Sequence, residues 1–270
     1  VPELVRQLRA AVGAKMASHV HFGATSQDVI DTGLMLRLKP VLAIVEQRLD
    51  VFLRALGSLQ KRDGERALMA ATRMQPAIPI RAGDRIESWR GPSERNLERL
   101  RAWMVDGLAL QFGGAAGTLD KLGGKASEVR AALAEELELL DCPQWQSQRD
   151  RIAELASILS LISGGLGKFG QDIALMALTG DELELAGGGA SSAMPHKQNP
   201  VSAEVLVTLA RFNAAQLAGM HGALVHEQER SGAAWTLEWM ILPQMIVATA
   251  AATRLATELT ANIRRLGVKG

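Results

Sequence analysis

The chain has 270 residues, of which 47% are hydrophobic and 22% charged, a globular balance that excludes intrinsic disorder, collagen and low-complexity scaffolds. Thirty Lys and Arg against 29 Asp and Glu leave a formal charge of +1, so no broad basic field is available for nucleic acid or an anionic membrane surface. A lone cysteine, Cys142, can form neither an internal disulfide nor a zinc cluster, and its presence suits a reducing cytoplasm.

In chain order, Val1-Pro2 comes without a methionine, a basic n-region or an apolar h-region. No signal peptide is expected, and the chain reads as part of a longer one. Tyrosine is absent and aromatics are 4%, whereas Ala, Leu, Glu and Arg dominate, so the composition favours helix over strand.

The first motif runs from His19 through His21, Thr25, Ser26 and Asp28 to Thr32. Thr25 with Asp28 three residues on forms a capping arrangement for a long helix over about Val29–Lys61. That helix carries Leu34, Leu38, Val41, Val45, Leu49, Phe52, Leu56 and Leu59 on one side, and Pro40 should kink it. The same helix start, with its free N–H groups and two hydroxyls, also suits a carboxylate, so cap and ligand site both stay open.

Further helices are expected over about 81–109, 126–140, 200–230 and 233–265, the last kinked at Pro243. Glycine and proline mark connections at Arg73–Pro79, Gly113–Gly124 and Gly187–Pro200, where chemistry would be presented. Ile152, Leu155, Leu159, Ile162, Leu166, Phe169, Ile173 and Met176 alternate at three and four residues, the seam of a long bundle helix. Ser163, Gly164, Gly165 and Gly167 beside it cost helix propensity, about 1 kcal/mol per glycine, which makes sense if another subunit's backbone approaches there. No repeat and no strand-rich segment is evident.

In Gly187–Pro200, Asn199 and Pro200 read as N-cap and first position of the next helix. Lys197 just outside that N-terminus favours an anion site, against a plain serine-rich linker. The longest uncharged helical run, Trp239–Thr253, is 15 residues, short of the roughly 20 a membrane span requires. His196, His221 and His226 lack ligand partners at zinc spacing, and the glycine triples lack the strand-turn-helix context of a dinucleotide site. Cofactor-free chemistry is expected.

The string Ser191-Ser192-Ala193-Met194-Pro195-His196-Lys197-Gln198-Asn199-Pro200 resembles the signature of the fumarase/aspartase superfamily, a long and specific pattern. Thr25–Thr32 and Gly114–Thr118 look like two further segments of that superfamily in their usual order. The resemblance implies an all-α long-helix bundle whose central helices join in a homotetramer, with active sites shared between subunits. It also implies a central helical domain over 1–240, with 241–270 as the end of the last bundle helix and a remnant of a C-terminal region.

Within the superfamily, His21–Asp28 and Glu227–Trp239 look most like the cycloisomerases that lactonise 3-carboxymuconate, with adenylosuccinate lyase as the alternative. The resemblance assigns proton transfer to Ser191 with Lys197 as a catalytic cation. It assigns binding of a small tricarboxylate to Thr25, Ser26, Ser192, Asn199 and Arg230, with His21 and Arg73 beside them. Arg230 is equally readable as a surface ion-pair residue. Ala70-Ala71-Thr72-Arg73-Met74-Gln75 stands where the lyases carry a histidine used in acid/base work. A guanidinium stays protonated and shuttles protons poorly, which disfavours the lyase chemistry. The counterpart of that histidine's glutamate partner is Glu204, so an Arg73–Glu204 ion pair is expected, the alternative being that Arg73 turns to solvent and Glu204 caps or solvates its helix.

Overall fold

The computed structural model describes residues 1–190, 194 and 198–268. Two short N-terminal helices, α1 (Pro2–Ala11) and α2 (Ala14–Ala17), precede the long α3 (Ser26–Asp63). The strands β1 (Ala67–Thr72) and β2 (Gln75–Arg81) lead into α4 (Ala82–Asp106), and α5 (Ala126–Glu136) follows a glycine-containing connection. The central α6 (Asp150–Thr179) is followed by β3 (Leu183–Leu185), β4 (Gly189–Ala190) and β5 (Gln198–Asn199). The chain continues through α7 (Val201–Gly222), α8 (Ala233–Asn262) and β6 (Ile263–Leu266).

Five long helices make the bundle, and cross-links fix their directions. Trp235 bonds Asp31, Arg48 bonds the Ala250 carbonyl and Arg62 bonds the Ile263 carbonyl, so α3 and α8 run parallel along their full lengths. Arg149 with Glu238 and Ser163 with Thr249 place α6 parallel to both. Trp103 at the end of α4 reaches the Arg151 carbonyl, and His221 at the end of α7 lies beside Ser157, so α4 and α7 are antiparallel to α6.

All eight seam residues of α6 are buried within this single chain, against the core that α3, α4, α7 and α8 supply. Phe169 packs edge-on against both Phe52 and Trp89, at ring separations of 5.3 and 5.0 Å. The expectation that the small-residue patch serves another subunit is therefore corrected in part. A Cβ on Gly167 would stand 2.4 Å from Ala210 Cβ of α7, and the Ser163 hydroxyl is buried against Thr249 and Asn213. Close approach is used inside the chain, whereas Gly164 meets nothing within 4 Å.

The α3 stripe keeps Leu38, Val45, Leu49, Phe52, Leu56 and Leu59 but recruits Met35 and Leu42, leaving Leu34 and Val41 half-buried. The helix continues through Pro40, and α8 continues through Pro243. By length and composition α6 and α8 could each cross a membrane, contrary to the sequence expectation, yet α6 is the core helix of the bundle.

Strand content was also underestimated. Among the described residues three two-stranded antiparallel sheets form, β1–β2, β3–β6 and β4–β5. The connection over Arg73–Pro79 is in fact the turn and second strand of an exposed hairpin, whose Pro76 and Pro79 are tolerated because it is an edge. Its two turn residues, Arg73 and Met74, have φ of 48° and 66°, the left-handed pair that matches the twist of a two-residue hairpin.

Candidate active site

The N-terminus of α3 is built by a buried carboxylate. Asp28 accepts the Thr25 N–H at 2.8 Å, closing the expected cap, and the same carboxylate accepts the N–H groups of Gly113 and Gly114 at 2.9 Å each. Gln111 Nε2 adds a fourth bond at 3.0 Å. One residue that reads as a helix cap thus also fastens the Gly113–Gly117 loop to the helix start. Gly114 adopts φ of 70°, and a Cβ there would lie 2.7 Å from the Gly23 carbonyl, so glycine is required for the loop to close on the His21–Ala24 segment.

Arg230, between α7 and α8, donates to the Gly114 and Ala115 carbonyls at 3.3 and 2.9 Å. Arg230 is exposed, and among the described residues of this chain no carboxylate lies within 4.0 Å of it. The loop it grips is the one that Asp28 fastens to the start of α3, where Thr25 and Ser26 are half-buried. Ser231, the next residue, accepts the N–H of Ala234 in the first turn of α8 at 3.1 Å. His21 is half-buried in the same segment with φ of 61°.

Asn199 and Arg73 fall at the other end of the bundle. Asn199 pairs with Gly189 in the β4–β5 ladder, and Pro200 rather than Asn199 occupies the N-cap of α7. A cavity of about 250 Å³ beneath the ladder is lined by Pro200, Val201, Leu259 and Asn262, which ties it to the C-terminal end of α8. The β1–β2 hairpin carrying Arg73 is anchored there too, through Met69 N–H to Glu182 and Val268 N–H to the Ala67 carbonyl. Arg73 and Glu204 are both exposed, and no ion pair joins them within the chain, so the pairing expected from the sequence does not form here. Ser191, Ser192 and Lys197 lie outside the described residues. No cluster of three or more His, Cys, Asp or Glu suited to a metal occurs among the described residues.

Sequence reasoning missed the polar layer directly behind the first half-site. Arg149, 2% exposed, donates to Glu238 at 2.9 and 2.5 Å and to Asp31 at 2.7 and 3.3 Å. Burial opposes its charge, but the bonds and charges of Glu238 and Asp31 outweigh burial and hold the guanidinium pKa above its ordinary value. Burial raises the Glu238 carboxyl despite Arg149, and burial together with the Arg149 charge lowers His226, whose ring is buried 3.8 Å from Glu238. The available signal was Gln27 and Asp31 one turn apart on α3, and Arg149 immediately before the apolar seam of α6.

The chain matches the model of a family described as lyase over residues 2–215. It is 42% identical to a 3-carboxy-cis,cis-muconate cycloisomerase of Pseudomonas aeruginosa, over 96% of this chain and 57% of that protein. The crystal structure of the 3-carboxy-cis,cis-muconate lactonizing enzyme from Pseudomonas putida superposes with a TM-score of 0.89 at 38% identity, covering 97% of this chain and 60% of that one. A fumarate lyase from a Mesorhizobium species superposes with a TM-score of 0.88 at 30% identity, over 98% and 60% of the two chains. The chain therefore spans about three fifths of the length of these relatives. The signature string, the all-α bundle and these similarities agree: the chain belongs to the lyase family of the fumarase/aspartase superfamily.

Proposed function

We propose that the protein is a cycloisomerase that closes a lactone within a small tricarboxylate, converting 3-carboxy-cis,cis-muconate to a carboxymuconolactone. One substrate carboxylate oxygen forms a C–O bond to an alkene carbon. The displaced electron pair moves to the adjoining carbon, next to another carboxylate, and takes up a proton there; no group leaves. The costly species is the enolate-like carboxylate formed on the way, which fixed cations and N–H donors stabilise. Thr25 and Ser26 bind one carboxylate, Arg230 a second and Lys197 with Asn199 a third, and Ser191 carries the proton; Ser192, His21 and Arg73 complete the surroundings. As the acid that delivers this proton, Ser191 would need surrounding donors and positive charge that stabilise the alkoxide it leaves behind.

The observation that carries this reading is Arg230, a guanidinium without a carboxylate partner among the described residues, held by carbonyl bonds beside the start of α3. The relatives' activity supplies the substrate class. The fumarate lyase neighbour keeps a second reading in play, an elimination that releases fumarate, but Arg73 is a poor proton shuttle for it. Incubating the intact protein with 3-carboxymuconate, adenylosuccinate or argininosuccinate and identifying products by NMR separates the two. Lactone from the first substrate alone is expected, and fumarate from either succinate adduct without lactone would overturn the assignment.

The working unit in this reading is a homotetramer with shared sites. Arg230 precedes α8 while Asn199 sits by its far end, and 30 helical residues span about 45 Å. One chain cannot bring both groups to one substrate. A neighbouring subunit with reversed helices would supply the missing half. The single cysteine suits work in the cytoplasm.

A further inference from the structure

We infer that the turn Gln146–Arg149 is a positioning device that sets the spacing between the two carboxylate-binding elements at the start of α3 and at Arg230. The inference rests on the carboxylate-binding roles proposed for Thr25, Ser26 and Arg230.

The turn precedes α6 and carries none of the carboxylate-binding residues itself, yet it is bonded to both supports. On the α3 side, Gln27 Nε2 donates to the Gln146 carbonyl at 2.7 Å, and Arg149 grips Asp31, one turn further along. Gln27 and Asp31 are themselves joined at 3.1 Å, so Thr25 and Ser26 stand on a doubly held first turn. On the other side, Gln146 Nε2 donates to the carbonyl of Glu229, the residue before Arg230, at 2.9 Å. Arg149 holds Glu238 through two N–H donors, and Trp235 Nε1 closes the frame by donating to Asp31 at 3.0 Å. The guanidinium also lies 4.8 Å from the centre of the Trp145 ring, so its plane is fixed on a third side.

The chemistry suits registration better than contact with substrate. Asp31, Arg149 and Glu238 are 0, 2 and 3% exposed, and every guanidinium nitrogen is already bonded to a carboxylate. Removing one member strands a buried charge, while a planar fork that addresses two carboxylates at once defines an angle and a distance that an ammonium does not. A buried ion triad with excellent geometry adds little net stability but specifies one arrangement. Here that arrangement is the separation of two elements that a polycarboxylate must span, and a shift of about 1 Å at such a site carries a large catalytic penalty.

The test uses the intact protein with Arg149→Lys, which keeps the charge and loses the fork, and Gln146→Met, which loses only the bond to Glu229. Two probes are titrated by NMR: propane-1,2,3-tricarboxylate, long enough to span both elements, and propionate, which occupies one. Arg149→Lys should weaken the tricarboxylate by about tenfold or more and leave propionate within about twofold; Gln146→Met should do the same to a smaller degree. KM for 3-carboxymuconate should rise together with a fall in kcat, because misregistered carboxylates weaken both ground-state binding and the transition state. Equal weakening of both probes, or no weakening of either, would overturn the inference, as would a wild-type protein that binds no tricarboxylate. If Arg149→Lys does not fold, Gln146→Met alone decides by the same criterion. A wild-type protein that binds the tricarboxylate but produces no lactone would sink the cycloisomerase assignment while leaving the positioning result standing.

Discussion

His226 illustrates how a single buried side chain ties stability to pH. Its ring is 1% exposed and faces Glu238, with Arg149 and Asp31 behind it and Glu227 beside it. Burial and the Arg149 charge lower its pKa from the ordinary 6.5, so the folded state favours the neutral ring. The unfolded chain then binds more protons, and the contribution is complete above pH 6.5 and is lost as pH falls toward the depressed value. Each pH unit within that window costs up to about 1.4 kcal/mol per proton. Glu238, raised by burial, works in the opposite sense, so the comparison must be made against a variant. Denaturant unfolding at pH 7.5 and 5.5 should show wild type losing more stability on acidification than His226→Gln; equal losses would remove His226 from the account. Asp28 was legible as a cap from its spacing to Thr25. Its bonds to Gly113 and Gly114 were not, because no local pattern reports a partner 85 residues away.

Among elements, α6 and α7 show how glycine encodes an approach distance. A Cβ on Gly170 would lie 2.6 Å from the Ala203 carbonyl and 2.8 Å from Leu206 Cβ, and one on Gly167 would strike Ala210. These contacts allow the two antiparallel helices to pack with almost no side-chain layer between them. Gly170→Leu should therefore destabilise by about 3 kcal/mol or more, since backbone carbonyls cannot retreat as flexible side chains do. Gly164→Leu, which meets nothing within 4 Å, should cost nothing comparable in the isolated chain. Thermal or denaturant unfolding of the two variants side by side checks the contrast, and similar losses would mean that the intrachain contact is not what Gly170 serves. The heptad-like seam made α6 readable as a core helix. It could not say whether the partner was this chain or another, because knobs fit either kind of hole equally well.

At the scale of the whole molecule, the two ends of the bundle matter most. Thr25, Ser26 and Arg230 cluster at one end, Arg73 and Asn199 at the other, and the helices between hold them apart. The outer face of α8 exposes Trp239 at 44%, Met240 at 63% and Val247 at 68%, an apolar stripe that a subunit interface would bury. Sedimentation should give a tetramer, and the Met240→Glu/Val247→Glu double variant should shift it to smaller species with loss of turnover. A wild-type monomer at micromolar concentration would reject shared sites.

By itself the sequence determined the helical class, the long elements and their approximate limits, and the family. Those features rest on local periodicity and on contiguous motifs such as Thr25–Thr32 and the string ending at Pro200. The β1–β2 hairpin escaped because an exposed edge needs no apolar alternation. Only the tertiary structure decided that Arg230 meets the Gly114 loop, that Arg149 joins α3 to α8, and that Arg73 and Glu204 do not pair within one chain. Those outcomes depend on helix direction and on separations of about 100 residues in the chain, which the balance of burial and charge pairing fixes only once the bundle has closed.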